Sequence, residues 1–168
     1  MQIDAKASRE FQAAIFAVRA LDKTLQRMIR QHVKAVAAPE WSKALDRRAS
    51  TALDRKVIAG TATVAVSNQN VKVKAASKGR PLSGGLNPKT DYPGVEFGAK
   101  DDLATYRTRS RKGKSYTVTR HTARQLPRRN PRGRVFYPAA REMIPRIGSL
   151  LVQTIVKTIA NAIEGKQE

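Results

Sequence analysis

Few residues in this 168-residue chain have the chemistry of a catalytic or metal site. It contains no cysteine, which excludes a thiolate nucleophile, a disulfide framework and a cysteine-ligated metal. Its two histidines, His32 and His121, lie far apart in the sequence, and neither has the spacing of a catalytic triad or a metal site. We expect His32 to pack beside an apolar helical stripe and His121 to be structural or solvated.

A group of carboxylates in the middle of the chain raises the hypothesis of a metal-dependent nuclease, because two carboxylates and a lysine can hold magnesium and activate water. The group consists of Asp91, Glu96, Lys100, Asp101 and Asp102. Its spacing argues against this hypothesis, since Glu96 and Lys100 are separated across Gly98 rather than placed close together on one strand. The glycine-rich segment 82–86 lacks the Lys-Ser/Thr of a phosphate-binding loop. The sequence therefore predicts no enzyme, no bound metal and no cofactor.

The strongest compositional feature is positive charge. The chain has 33 Lys and Arg against 13 Asp and Glu, for a formal net charge of +20. Twelve of these cations lie in residues 100–134, beside only two acids. This segment has few apolar residues to bury, so we predict an exposed basic arm or long hairpin. Ten of its arginines and lysines are the candidate contacts for assembly or DNA: Arg107, Arg109, Arg111, Lys112, Lys114, Arg120, Arg124, Arg128, Arg129 and Arg132.

Two kinds of partner fit such an arm. It can dock on an acidic protein through charge complementarity, or it can contact duplex DNA through phosphates in a salt-dependent and sequence-independent way. Tyr106 and Tyr116 are its only aromatic residues, which disfavours a platform for stacking single-stranded bases. No helix-turn-helix, zinc-finger or RNA-binding signature indicates sequence-specific recognition.

The N-terminal third has helical periodicity. Apolar residues recur every three or four positions from Asp4 to about Ala37 and predict one long amphipathic helix. Pro39 suits the first turn of a second helix, which we expect to continue to Gly60. The period then changes to two, which predicts an antiparallel hairpin within residues 61–77. Further short strands are predicted at Val95–Phe97, at residues 115–119 and at residues 134–136.

The last segment predicts a helix from Pro138 to about Glu164, with Pro145 either restarting or kinking it. Between Ile147 and Ile163 the only charged residue is Lys157, so the helix is apolar over more than one face. The run is too short and too polar for a typical membrane span, and no membrane contact is expected. A neighbouring subunit is the expected cover, with its interface at Ile147, Leu151, Ile155 and Ile159.

The order of these features resembles a known family. The stretch Tyr92-Pro93-Gly94-Val95-Glu96-Phe97-Gly98, a basic Pro-containing segment and then Phe136-Tyr137-Pro138-Ala139-Ala140-Arg141 resemble the head-tail joining proteins of long-tailed bacteriophages, typified by gene product ten of a lambdoid phage. The long basic segment is similar to the extended version in phages of actinobacteria. The motif residues are Val95, Glu96, Phe97, Gly98, Phe136, Tyr137, Pro138 and Ala139.

The resemblance implies a structural virion protein that forms a homo-oligomeric ring in the neck, between the head connector or stopper and the tail tube or terminator. Such a protein has no catalytic residues, and it resides in the host cytoplasm during assembly. The alternatives are a tail terminator at the same junction and a nonspecific DNA-binding protein. We expect a single α+β domain over residues 1–168, divided into helices (1–60), a β-hairpin and short strand (61–99), the basic arm (100–134) and a C-terminal helix (135–168). The long helices would pack on a small antiparallel sheet that includes part of the arm.

Overall fold

A computed structural model describes residues 1–4, 9–68, 70–99, 103–121 and 126–164. The α+β fold class is confirmed: long helices accompany one three-stranded and one two-stranded antiparallel sheet. In chain order the elements are β1 (Gln2–Asp4), α1 (Arg9–Ala20), α2 (Lys23–Arg48), α3 (Ala52–Val57), a 3-10 turn (Ala59–Thr61), β2 (Thr63–Val66), β3 (Val71–Lys74), α4 (Pro88–Phe97), β4 (Leu103–Arg109), β5 (Ser115–His121) and α5 (Phe136–Ile163).

The predicted division of the N-terminal helices is wrong. The break falls at Asp22, whose carboxylate accepts hydrogen bonds from the backbone N–H of Thr24 and Leu25 at 2.6 and 3.0 Å and so caps α2. Pro39 lies inside α2 rather than at its start. Because Pro39 and Ala35 are both exposed, the carbonyl that loses its intrahelical partner lies on the solvent side, where the loss costs least.

The predicted hairpin within residues 61–77 is confirmed. β2 and β3 pair with Val66 opposite Val71. β1 adds a third strand on the other edge of β3, so the order is β1-β3-β2, and Asp4 belongs to a strand rather than to a helix. The ammonium group of Met1 donates to the Ala75 carbonyl at 3.1 Å, and partial burial lowers the pKa of this group.

The core is built around α2, which packs against β2 of the three-stranded sheet and against α5. Trp41 of α2 is fully buried, and its ring meets that of Phe136 edge-on at a centroid distance of 5.4 Å. Its indole Nε1 donates to the Lys74 carbonyl at 3.0 Å, which ties α2 to β3. Ile29 and Val33 of α2 extend the same core. A single tryptophan thus joins one helix, the sheet and the start of α5.

The C-terminal helix is confirmed with an earlier start, at Phe136, so residues 134–136 are not a strand. It packs against α1 and α2 and buries Ile147, Leu151 and Ile155 in the core of its own chain, while Ile159 is half-buried. The predicted interface is therefore wrong at Ile147, Leu151 and Ile155, which are already buried within this chain, whereas at half-buried Ile159 it stays a prediction. By length and composition alone α5 could cross a membrane, and 28% of its most apolar 18-residue stretch is buried within the protein.

Val95–Phe97, predicted as a strand, forms the end of helix α4. Asn87 caps this helix by accepting from the Lys89 N–H at 3.0 Å, and Pro88 occupies its first turn. Gly98 ends it with φ of 71°, a left-handed conformation that favours glycine. These terminal residues outweigh the β-favouring character of Val95 and Phe97.

The basic arm divides into two parts. Strands β4 and β5 form an exposed hairpin, as predicted, but they make a sheet of their own and do not join β1-β3-β2. The return segment, residues 126–134, runs back along the end of α4: the Ala99 N–H donates to the Pro127 carbonyl at 3.0 Å and the Asn130 N–H donates to the Phe97 carbonyl at 2.7 Å. Half-buried Arg134 consequently belongs to the body of the protein.

Candidate functional site

The two motif segments meet at the start of α5, at a junction built around Glu96. This side chain is fully buried. Its Oε1 accepts from the backbone N–H groups of Arg134 and Tyr137, each at 3.1 Å, and its Oε2 accepts from those of Val135 and Phe136 at 3.2 and 3.0 Å. The amides of Val135, Phe136 and Tyr137 are among those that the start of a helix leaves without intrahelical partners, at the positive end of the helix dipole. Glu96 therefore caps α5 from another helix.

The remaining motif residues pack around this carboxylate. The rings of Phe97 and Tyr137 lie 5.5 Å apart. Gly133 passes so close that a Cβ placed on it would lie 2.4 Å from Glu96 Oε1, and its φ of 77° also favours glycine. Ala139 is fully buried one turn into α5. The motif thus describes a packed joint between α4 and α5.

A second buried acid extends the junction to α3. Asp54, 1% exposed, forms a capping box with Thr51 and lies 3.6 Å from Nη1 of Arg134. The same guanidinium donates to the Val95 carbonyl at 3.3 Å and to the Ser50 hydroxyl at 3.2 Å. Arg134 therefore links the starts of α3 and α5 to the end of α4.

This geometry leaves Glu96 without a free oxygen for a metal ion. Among the residues that the structure describes, no three His, Asp or Glu side chains are grouped to hold one. Asp91 is exposed and accepts from the Asn87 N–H at 2.8 Å, and this bond, with one from the Thr90 hydroxyl, lowers its pKa. Lys100, Asp101 and Asp102 lie outside the described residues. His32 is exposed on α2, so its expected packing role is wrong, and the side chain of His121 lies outside the description.

The second candidate surface is the basic hairpin, which we define as residues 103–121. It carries six Lys and Arg and no acid. Every one of these cations is exposed, and none forms an ion pair with a described acid: Arg107, Arg109, Arg111, Lys112, Lys114 and Arg120. Arg128, Arg129 and Arg132 are also exposed, on the return segment, and Arg124 lies outside the described residues.

The strand register gives the basic hairpin two unlike faces. Residues directly opposite each other share a face, so Arg107 lies with Thr117 and Arg109 with Ser115. Thr105 and Thr119, whose hydroxyl oxygens lie 3.1 Å apart, are on this face too, and Leu103 lies at its base. The other face holds Tyr106, Val118, Thr108, Tyr116 and Arg120, with the Arg120 guanidinium 5.7 Å from the Tyr106 ring centroid.

Comparison with known proteins gives no match to this chain, whether by family model, by curated sequence or by solved structure. The role of Glu96 was missed from the sequence, although one feature could have indicated it. Val135, at the N-cap of α5, has no side chain able to accept from the first amides, and the helix therefore needs an acceptor from elsewhere. An acid inside an apolar motif was the candidate.

Proposed function

We propose that this chain is a structural protein of a tailed bacteriophage virion, which forms a ring in the neck, joins the head connector to the tail and lets DNA pass. The observation that carries the proposal is the meeting of the two motif segments at Glu96. Residues about forty positions apart, which resemble one family, act as one structural unit here. This supports the resemblance because the motif residues depend on one another physically.

Apolar surface left on α5 supports assembly. Val156 and Ile163 are 62% and 81% exposed, and they lie two helical turns apart on one face, different from the buried side. Phe16 of α1 is 66% exposed. A subunit that assembles keeps apolar surface that is buried only in the oligomer. We therefore propose that a neighbouring copy of this chain, within a ring, covers this face of α5.

The experiment is a mass measurement of the purified full-length protein, by native mass spectrometry or analytical ultracentrifugation, with Val156→Asp beside Gln31→Asp as a matched control. Both positions are exposed, but Gln31 lies on α2, a different helix. We expect a closed oligomer for the wild type and for Gln31→Asp, and monomers for Val156→Asp, because a charge in an apolar interface is costly.

The proposal also requires the protein in purified particles, at the head-tail junction. Heads purified without tails distinguish a neck protein from a tail terminator. A neck protein stays with these heads, whereas a tail terminator is found with tails. A protein that stays monomeric at all concentrations and is absent from virions would overturn the proposal.

A further inference from the structure

We propose that the basic hairpin binds the sugar-phosphate backbone of duplex DNA, through the face that carries Arg107 and Arg109 and through its tip. This inference rests on the geometry of the hairpin and is independent of the neck function, although a ring that passes DNA would use such a surface.

The charge of the basic hairpin is unbalanced. Six cations and no acid occupy residues 103–121, and none of the described acids forms an ion pair with these cations. A second copy of the hairpin is a poor partner, since side-by-side strands would place like charges against one another. Two paired strands alone are also marginally stable in water, so this ribbon gains from a partner that neutralises it. The partner must therefore be anionic.

The face that carries Arg107 and Arg109 has a composition that suits phosphate groups. Arg107 and Arg109 lie two residues apart on β4 and so point the same way, about 7 Å apart along the strand. The rest of this face is supplied by the hydroxyls of Thr105, Ser115, Thr117 and Thr119, with Leu103 at the base. Arginine, serine and threonine are the side chains that typically contact phosphates. A protein interface would require an apolar or aromatic centre, and here the tyrosines lie on the opposite face.

The tip of the hairpin adds three cations. Ser110 and Lys114 close the turn, with the Ser110 N–H donating to the Lys114 carbonyl at 2.8 Å, and Gly113 adopts a φ of 81°. This turn presents Arg111, Lys112 and Lys114 to solvent. Each strand has seven residues, so the tip stands about 24 Å from the base. Such a ribbon is narrow enough for the major groove of DNA, about 12 Å wide, and lets both the face and the tip reach phosphates.

The test uses the full-length protein and a short fluorescent duplex of mixed sequence, titrated at several salt concentrations. Five cations on the face and tip predict that log K falls against log[salt] with a slope of about −4 to −5. Arg107→Gln/Arg109→Gln should weaken binding by tenfold or more at low salt and reduce the slope by about 2. The matched control is Arg27→Gln/Lys34→Gln, which removes the same charge from exposed positions of α2. Its changes in affinity and in slope should each be no more than about half of those in the hairpin variant.

Three outcomes would overturn the proposal: no duplex binding by the wild type at low salt, equal losses in the hairpin and control variants, or equally effective competition by polyglutamate of matched charge. The last result would assign the surface to an acidic protein. The oligomeric state of each variant is measured in parallel. Loss of DNA binding in a hairpin variant that still assembles bears on this inference alone. A failure of the wild type to assemble bears on the proposed neck function instead.

Discussion

Replacing Glu96 by Gln tests the central contact of the fold. The substitution keeps the size of the side chain but removes its charge. One amide oxygen can still accept from two of the four N–H groups, while the amide NH2 turns toward the other two and leaves them without an acceptor. The backbone at the start of α5 then holds buried, unsatisfied donors.

The magnitude follows from these contacts. Hydrogen bonds to a charged group contribute about 1.5–3 kcal/mol each, and two are lost at a fully buried site. The charge at the N-terminus of a helix contributes up to about 2 kcal/mol more in a buried geometry. Since such terms overlap, we expect Glu96→Gln to lower the free energy of unfolding by about 3–5 kcal/mol. At about 2–4 °C per kcal/mol, the Tm should fall by roughly 10 °C.

The assay is denaturant unfolding followed by circular dichroism, with hydrogen exchange to locate the change. The amides of Val135 and Phe136 should lose protection first. The matched control is Glu142→Gln, on the same helix, whose carboxylate is 36% exposed and pairs with Arg48 and Arg146 at 3.3 and 3.2 Å. Such surface pairs contribute about 1 kcal/mol or less. The reasoning is refuted if Glu96→Gln costs no more than Glu142→Gln.

Three further predictions concern the elements around this junction. Gly98→Ala should lower the free energy of unfolding by more than about 2 kcal/mol, because its Cβ would lie 2.3 Å from the Pro127 carbonyl oxygen. Gly113→Ala, with open space around it, should lower it by about 1 kcal/mol. Equal losses in denaturant unfolding would contradict this prediction. NMR titration should give Asp91 a pKa below that of an ordinary Asp. The stability that Asp91 contributes is then present above its unfolded pKa and is lost as the pH falls through the lowered value. Asp91→Asn should abolish this pH dependence, and an unshifted titration of Asp91 would disprove the prediction. Replacing residues 105–119 by a short Gly-Ser turn should leave the free energy of unfolding of the rest of the protein unchanged, since both hairpin faces are exposed. A fall in this free energy of more than about 1 kcal/mol would place the hairpin in the core.

The elements that the sequence predicted well are those determined by local pattern. The alternation in residues 61–77 predicted β2 and β3, and charge without apolar residues predicted the exposed hairpin. Helix ends were harder, because a capping side chain such as Asp22 outweighs the continuity of an apolar stripe. Pro39 was misplaced for a related reason: a proline on the exposed side of a long helix is tolerated.

What the sequence could not predict depends on contacts between distant segments. An apolar stripe at Ile147, Leu151 and Ile155 requires a cover, but periodicity does not say whether α1 and α2 or another subunit provides it. Glu96 likewise lies in a motif that suggests a strand, and its role depends on amides 38 to 41 residues away. The residues of the candidate site were identified, whereas their arrangement required the fold.

The backbone bonds that join Phe97 to Asn130 and Ala99 to Pro127 close the chain into a stem below the hairpin. The hairpin of residues 103–121 therefore extends from a base whose two sides are fixed to the body. Lengthening such a loop costs little, since closure entropy rises only slowly with length. We expect that a hairpin of another length or charge can replace this one without refolding the core.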